Sequence, residues 1–552
     1  MVDSRSATLG DDSTAIMIRR LWKFNGGVHP PQHKIESTND AVTTGTLPKR
    51  LTLPLHQHIG EAADPVVKVG DKVLKGQLIA RATGYVSSPV HAPSSGTIVD
   101  IDEYPIPHPS GLNAQCIVID TDGLDEWADH TPVENFRELS PSALRNTIRE
   151  AGIVGLGGAG FPSYIKLNPG HDKGIKTLIL NGVECEPYIT CDDMLMRERP
   201  KHIVEGLRIA RHALHAEECI IAIEDNKPEA FKSLTAAASK HDYIHVVQVP
   251  TLYPQGSEKQ LVKVLTGKEV PSNGLCLHVG VVGINVGTTA AIYRAICLGE
   301  PLISRFMTVT GNAILKPRNF EVLIGTSMDH LLEQCSGGEP HYDKLIMGGP
   351  MMGFALHSSR LPVIKTTNCV LALSTVSEPP ATVMPCIRCG ACADACPVNL
   401  LPQQLYWYSS NKDLEKTQEY NLFDCIECGC CSYVCPSKIP LVQYYRYAKG
   451  DIWIKEREKE KADLARQRFE SREVRIIRRK AEHGARRKKK KERLQGKTAT
   501  AQRDNKKAEI DEAIKRVSER RDKAVERANE MRGKIPSPEN ENKTDDSNSK
   551  QP

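Results

Sequence analysis

Residues 386–397 read CIRCGACADACP, and residues 425–436 read CIECGCCSYVCP. Each copy has the spacing C-x2-C-x2-C-x3-C followed by Pro. Three cysteines at x2 spacing wrap one corner of a cubic cluster, and in the bacterial two-cluster pattern the fourth ligates the other cluster. This spacing assigns Cys386, Cys389, Cys392 and Cys435 to one [4Fe–4S] cluster, and Cys425, Cys428, Cys431 and Cys396 to a second. Gly390 and Gly429 let the backbone turn tightly there. Zinc is the competing reading, but its sites come as separated C-x2-C halves. Cys430 fits no ligand slot and reads as a small buried residue.

The remaining cysteines are scattered singly, and the total of 17 is odd. That is a reduced pattern, not a disulfide framework. No run of about 18 apolar residues suggests a membrane span, and the N-terminus lacks an apolar signal core. The chain of 552 residues allows several domains, and the net charge of +5 is mild.

Residues 1–50 read as an irregular segment containing FNGGVHPPQHK (24–34). Residues 51–130 read as β: VVKVGDKVLKGQLIA (66–80) alternates about a Gly-Asp turn, and VSSPVHAPSSGTIVDI (86–101) repeats the style. The segment resembles a biotin/lipoyl carrier barrel-sandwich. RATGY (81–85) has no Lys where carriers bear their modified amine, so an unmodified structural domain is expected.

Residues 135–300 alternate helix and strand signals, as an α/β domain does. SPSALRNTIREAG (140–152) reads as a capped helix and KTLIL (176–180) as a buried strand. SEKQLVKVLTG (257–267) reads as a helix opened by a Ser-x-x-Gln capping box. Residues 301–364 read as an α+β module and 365–452 carry the cluster motifs. From 453 to 552 charge dominates, with RRKKKKER at 486–493. Such a segment cannot bury a core, so a solvated helix or transient coiled coil ending in a disordered tail over 535–552 is expected. It lacks aromatic interleaving, and nucleic-acid binding is not expected.

Clusters move single electrons, so something must exchange electrons with them. GLGGAGFPSYIK (155–166) offers bare backbone N–H groups suited to a phosphate, or else is a plain connection. LNGVECEPY (180–188) puts Asn181, Glu184 and Glu186 at one strand end, as a ligand site or a solvated acidic loop.

Together these stretches resemble the flavin- and NADH-binding subunit of respiratory complex I, with its GGAGFP loop and N-x-x-E-x-E-P strand end. YPQGSEKQL (253–261) resembles that family's Y-x-x-G-E-E segment, with Ser257 replacing the first acid and Glu258 matching the second. INVGTT (284–289) keeps Asn285 and Thr288 of its N-N-V-E-T segment, while Leu156 stands where Arg is usual. Over about residues 20–450 the order of parts is similar to the C subunit of the Rnf/Rsx ion-translocating oxidoreductase complexes.

That resemblance implies noncovalent FMN near residues 157–160, with Gly155, Gly157, Gly158, Ala159, Gly160, Phe161, Lys166, Asn181, Glu184, Glu186, Asn285 and Thr288 as the FMN- and NAD(H)-binding residues. It implies NAD(H) as substrate, with Glu184 and Glu258 as the catalytic acids. The fold class expected is multidomain α/β and α+β: barrel-sandwich, flavin domain, β-grasp module, two-cluster ferredoxin-like domain and charged tail. The implied partners are membrane subunits and a ferredoxin-like subunit of the same complex. The implied location is peripheral, on the cytoplasmic face of the bacterial inner membrane. The basic run could meet anionic lipid there. An iron–sulfur adaptor without nucleotide is the alternative.

Overall fold

The computed structural model describes residues 19–170, 174–338, 341–374, 382–495 and 503–532. Contacts divide the chain into two compact units, Met1–Ile454 and Lys455–Pro552.

In the first unit, residues 50–121 form two antiparallel sheets. One orders its strands Arg50–Pro54, Asn113–Thr121, Gly96–Pro105, Lys72–Val73; the other runs Asp64–Pro65, Leu78–Arg81, Val90–His91. Inward residues alternate along them: Leu51, Leu53, Ile79, Ile98, Ile117 and Ile119 are fully buried. This is the expected sandwich.

The α/β domain carries a four-stranded parallel sheet, ordered Ile244–Val249, Glu218–Glu224, Thr177–Gly182, Val281–Asn285. The strand Thr177–Gly182 comes first in sequence yet lies between the second and the fourth. The order therefore reverses beside it, and ligands bind outside the carboxyl ends of strands at such a switch point. Asn181 and Asn285 are register partners at those ends. The helix Pro141–Glu150 starts as expected, with the Ser140 hydroxyl accepting the Ala143 N–H at 3.2 Å. The helix Glu258–Thr266 differs. Ser257 makes no side-chain cap, and Gln260 instead reaches across to the carbonyl of Pro397 at 3.4 Å.

The next module is a six-stranded mixed sheet with the helix Met328–Ser336. Its strand Cys369–Leu373 pairs in parallel with Ser304–Thr310 and antiparallel with Lys344–Met347. The boundary expected at 364/365 therefore cuts this sheet: a buried apolar strand completes it before the cluster segment begins. Thr43–Thr44, expected to be irregular, adds an edge beside Phe320–Glu321.

The rest of residues 19–50 is largely irregular and acts as a strap. Trp22 N–H donates to Val264, Gly27 N–H to Ala395 and Tyr188 N–H to the carbonyl of Gln32. A Cβ on Gly26 would stand 2.6 Å from the Ala395 backbone, so this crossing excludes a side chain. The cluster segment folds around Leu405, Leu422, Tyr445 and Ile452.

The second unit is helical to Gln495 and again over Arg503–Arg532, with its described side chains almost all exposed. Residues 535–552, expected to be disordered, lie outside the described residues. No helix among the described residues is long and apolar enough to cross a membrane.

Lys365 joins three of these parts. Its buried Nζ donates to Ser88 Oγ at 3.0 Å, Pro89 O at 2.7 Å and Gly152 O at 2.8 Å. Its own N–H donates to Gln57 Oε1 at 3.0 Å. Lys365→Met removes the ammonium and strands its buried acceptors, each at about 1–3 kcal/mol. The expected loss is on the order of 3 kcal/mol, measured as a lower denaturant midpoint.

Candidate functional site

The Gly-rich loop is closed by backbone bonds: Gly155 N–H donates to Phe161 O at 2.8 Å, and Gly160 N–H to Gly155 O at 3.2 Å. Its flank is pinned from outside. Leu156 N–H donates to Thr288 Oγ1 at 2.9 Å, and Arg305 donates to Leu156 O at 3.3 Å. The Leu156 side chain is buried in the apolar core, which explains why Leu stands there. Among the described residues, the N–H groups of Gly157, Gly158 and Ala159 have no protein acceptor. Such successive free amides cradle anions.

A cavity of about 620 Å³ opens at the sheet's switch point. Gly155, Gly157, Gly158, Ala159, Phe161, Lys166, Asn181, Glu184, Glu186, Glu258, Asn285 and Thr288 all line it. Gly160 does not. At φ +64° it turns toward the barrel domain, its Cβ position 2.8 Å from Thr366 Cγ2, and its carbonyl accepts the Ile59 N–H.

The acids have structural partners. Glu184 Oε1 accepts the Asp192 N–H at 2.7 Å and Oε2 accepts the Asp193 N–H at 3.2 Å, capping the helix Cys191–Glu198. A helix N-terminus favours the carboxylate. Burial opposes it and wins, raising the Glu184 pKa to about 8 despite the nearby Lys34. Glu186 Oε1 accepts the N–H groups of Met351 at 2.7 Å and Met352 at 3.1 Å, tying the strand end to the mixed-sheet module. Glu258 pairs with Lys166 at 2.9 Å, both partly exposed. Asn181 Nδ2 donates to Gly256 O at 2.8 Å.

Sequence reasoning did not single out Lys34 or Asp192, and it met Tyr253 only as the first residue of the 253–261 segment. Lys34 Nζ donates to the carbonyls of Glu184, Glu186 and Ile189 at 2.8, 2.9 and 2.6 Å. Nothing in PPQHK marks that Lys, because its acceptors lie some 150 residues on. Tyr253 is buried, lines the cavity and donates from its OH to Cys428 O at 2.7 Å.

The eight motif cysteines sort as their spacing implies. One cavity is lined by Cys386, Cys389, Cys392 and Cys435, a second by Cys396, Cys425, Cys428 and Cys431. Each run thus contributes its fourth Cys to the other's group. Tetrahedral zinc at Zn–S of about 2.3 Å needs sulfurs about 3.8 Å apart. Among the described residues, three metal-ligating atoms lie mutually within 4.8 Å only at Glu184, Cys191 and Asp192. The quartets are too open for one ion, and their thiol donor sets fit clusters. Cys428 lines both its cluster cavity and the large cavity, whereas Cys389 is exposed. Cys430 is fully buried against apolar side chains of the α/β domain.

Family models match four segments: RnfC barrel sandwich hybrid domain over 22–124, Nuo51 FMN-binding domain over 148–294, SLBB domain over 306–355 and 4Fe-4S dicluster domain over 385–439. The chain is similar to the C subunit of the ion-translocating oxidoreductase complex of Pseudomonas aeruginosa, 48% identical over 459 residues, 83% of this chain and 59% of that one. The same-named Vibrio cholerae protein is 48% identical over 466 residues, 84% and 60% of the two chains. That of Haemophilus influenzae is 46% identical over 462 residues, 83% and 69%. The chain thus spans about three-fifths of the length of the first two. An NAD+-reducing [NiFe]-hydrogenase structure aligns with TM-score 0.40 and 18% identity, over 55% of this chain and 61% of that one, too slight a likeness to argue from.

Cys396→Ser is expected to damage the cluster of the 425–431 run and spare the one nearer in sequence. Paramagnetic resonance of the reduced protein reads this as unequal loss of two signals. Loss confined to the Cys386–Cys392 cluster would contradict the exchange of ligands.

Proposed function

The chain belongs to the family of C subunits of ion-translocating oxidoreductase complexes, and from that premise we propose that it is the subunit through which electrons pass between NAD(H) and the rest of such a complex. The observation that carries this reading is the shared wall. The cavity at the switch point includes Cys428, a ligand of the second quartet, and Tyr253 bonds the same residue's carbonyl.

FMN, bound noncovalently in the cavity, supplies the exchange between a two-electron hydride donor and one-electron clusters. The chain's own groups position it. The amides of Gly157, Gly158 and Ala159 receive the phosphate, and the Cβ position of Gly157 lies 3.2 Å from Asn285 Cβ, which keeps the loop bare. Asn181, Asn285 and Thr288 line the sheet end. Phe161, Lys166 and Glu258 stand where NAD(H) enters. Glu184 and Glu186 hold the strand-end loop in shape as well as lining the site.

The quartet of Cys396, Cys425, Cys428 and Cys431 then exchanges electrons with the cavity. The quartet of Cys386, Cys389, Cys392 and Cys435, with Cys389 exposed, faces the next carrier. In this reading that carrier is a ferredoxin-like subunit of the same complex. Membrane subunits, not this chain, move the ion as electrons pass between NAD(H) and ferredoxin-type carriers. The chain sits peripherally on the cytoplasmic face of the bacterial inner membrane.

Gly158 has φ +127° and open space beside it. A β-branched side chain is strained at that φ and would stand over the phosphate. Gly158→Val is expected to lose flavin and NADH oxidation while keeping its iron. An anaerobic visible spectrum before and after NADH reads both; a variant that keeps full flavin would show the loop to be structural only. A wild-type chain that keeps its clusters and binds no flavin would leave only the adaptor.

The second unit's basic run from Arg486 to Lys491 is proposed to hold anionic lipid. Each such residue near an anionic surface contributes about 1 kcal/mol, screened over about 8 Å at physiological salt. Ile452 is buried and Trp453 packs on Phe423, so the cut that tests this falls after Ile454. Removing Lys455–Pro552 is expected to leave NADH-to-dye transfer intact and to weaken low-salt binding to phosphatidylserine vesicles. Equal vesicle binding by both chains would refute the lipid role.

A further inference from the structure

A hydride is two electrons and one proton, and a cluster accepts electrons alone. Each hydride passed to the clusters therefore leaves one proton in the cavity. In the reverse direction one proton must be supplied. This rests on the function proposed above.

Asp192 lines two cavities. One is the large cavity; the other, of about 240 Å³, is walled by the helix Val286–Tyr293, residues 294–306 and Glu321. That volume has room for several waters. Asp192 Oδ2 accepts from Asn285 Nδ2 at 2.6 Å, on the large-cavity side. Oδ1 lies 3.6 Å from where a Cβ on Gly287 would stand, and Gly287 lines the second cavity. The Glu184 carboxylate has an oxygen within 4.8 Å of one on Asp192. Beyond Asp192 the second cavity presents Arg199, His202, Arg294, Glu300 and Glu321. Glu300 and Glu321 are 21% and 25% exposed, which brings this line of polar groups to solvent.

We propose that Asp192, with Glu184, carries the proton between the large cavity and solvent by way of the second cavity. Asp192 is bordered by Asn285 and Gly287 from one helix start and by Glu184 from the strand end. Arg305 approaches from the mixed sheet, and Lys34, Lys227, Cys191 and Asp193 also face this acidic pair. Burial raises the pKa of both acids, Glu184 to about 8, so a proton can rest on the pair near neutral pH. Two carboxylates this near each other repel as charges, which favours the protonated form of one of them. The balance is one NADH giving one NAD+, two electrons to the clusters and one proton to water.

The test uses the full chain with its cofactors. Stopped-flow absorbance follows flavin reduction by NADH and reoxidation by ferricyanide, which takes electrons without protons, while a pH dye in weak buffer follows proton release. For Asp192→Asn, flavin content and reduction by NADH are measured first, because Asp192 lines the large cavity and holds Asn285. Reoxidation and proton release should slow together by about a hundredfold, with a raised solvent isotope effect. Asp192→Glu should restore most of the rate. In flavin-free protein, an infrared carboxylic-acid band present near neutral pH should shift in Asp192→Asn, as Glu184 loses its acidic neighbour. Should Asp192→Asn shed flavin or fail to fold, Ala291→Leu decides, because it narrows the second cavity without lining the first. It should slow proton release and spare reduction. Unchanged proton release and isotope effect in the deciding variant would overturn the route. A wild-type chain that takes no electrons from NADH overturns the functional reading itself, and the proton route with it.

Discussion

The strand-end loop at 183–190 is held by two buried ammonium groups. Its backbone follows neither helix nor sheet, and Glu184 and Tyr188 sit at φ +47° and +68°, where non-glycine residues are uncommon. Its carbonyls still need donors. Lys34 takes those of Glu184, Glu186 and Ile189, and Lys227 takes that of Val183 at 2.8 Å. Lys227 is itself neutralised by Glu224 at 2.8 Å, both fully buried. Two features of the site follow from this shape: where Glu184 caps its helix and where Glu186 grips the mixed-sheet module.

The strap makes the same dependence longer in range. Lys34 belongs to a segment with little regular structure of its own, yet its neighbours reach the α/β domain, the cluster segment and the mixed sheet. Gly26 and Gly27 permit that closeness: a Cβ on Gly27 would stand 2.9 Å from the Tyr253 carbonyl. Tyr253 in turn binds Cys428. The Gly-Gly pair of FNGGVHP thus belongs to the architecture that sets cavity and cluster side by side.

What the chain revealed in advance was what repeats or has local spacing. The Cys runs carry their own ligand arithmetic, and the structure gathers the same quartets. The loop of 155–161 and the strand ends of Asn181 and Asn285 carried short motifs, and all but Leu156 and Gly160 face the cavity. Pairings across long stretches were not legible. Strand Cys369–Leu373 reads as any short apolar run until Ser304–Thr310 stands beside it. Lys34 and Lys365 have no local pattern, since their acceptors come from elsewhere in the chain. Gln260 shows the converse: a sound local capping pattern yields to a distant carbonyl.

The uneven exposure of the two quartets has a chemical cost. Oxidation of cysteine follows access as well as thiolate character. Cys396, Cys428 and Cys431 are 8%, 7% and 7% exposed and are walled by apolar side chains, whereas Cys389 is open. Air and peroxide reach the outer quartet first. Damage therefore proceeds inward from Cys389, and a chain that has lost its outer quartet keeps the inner one for a time.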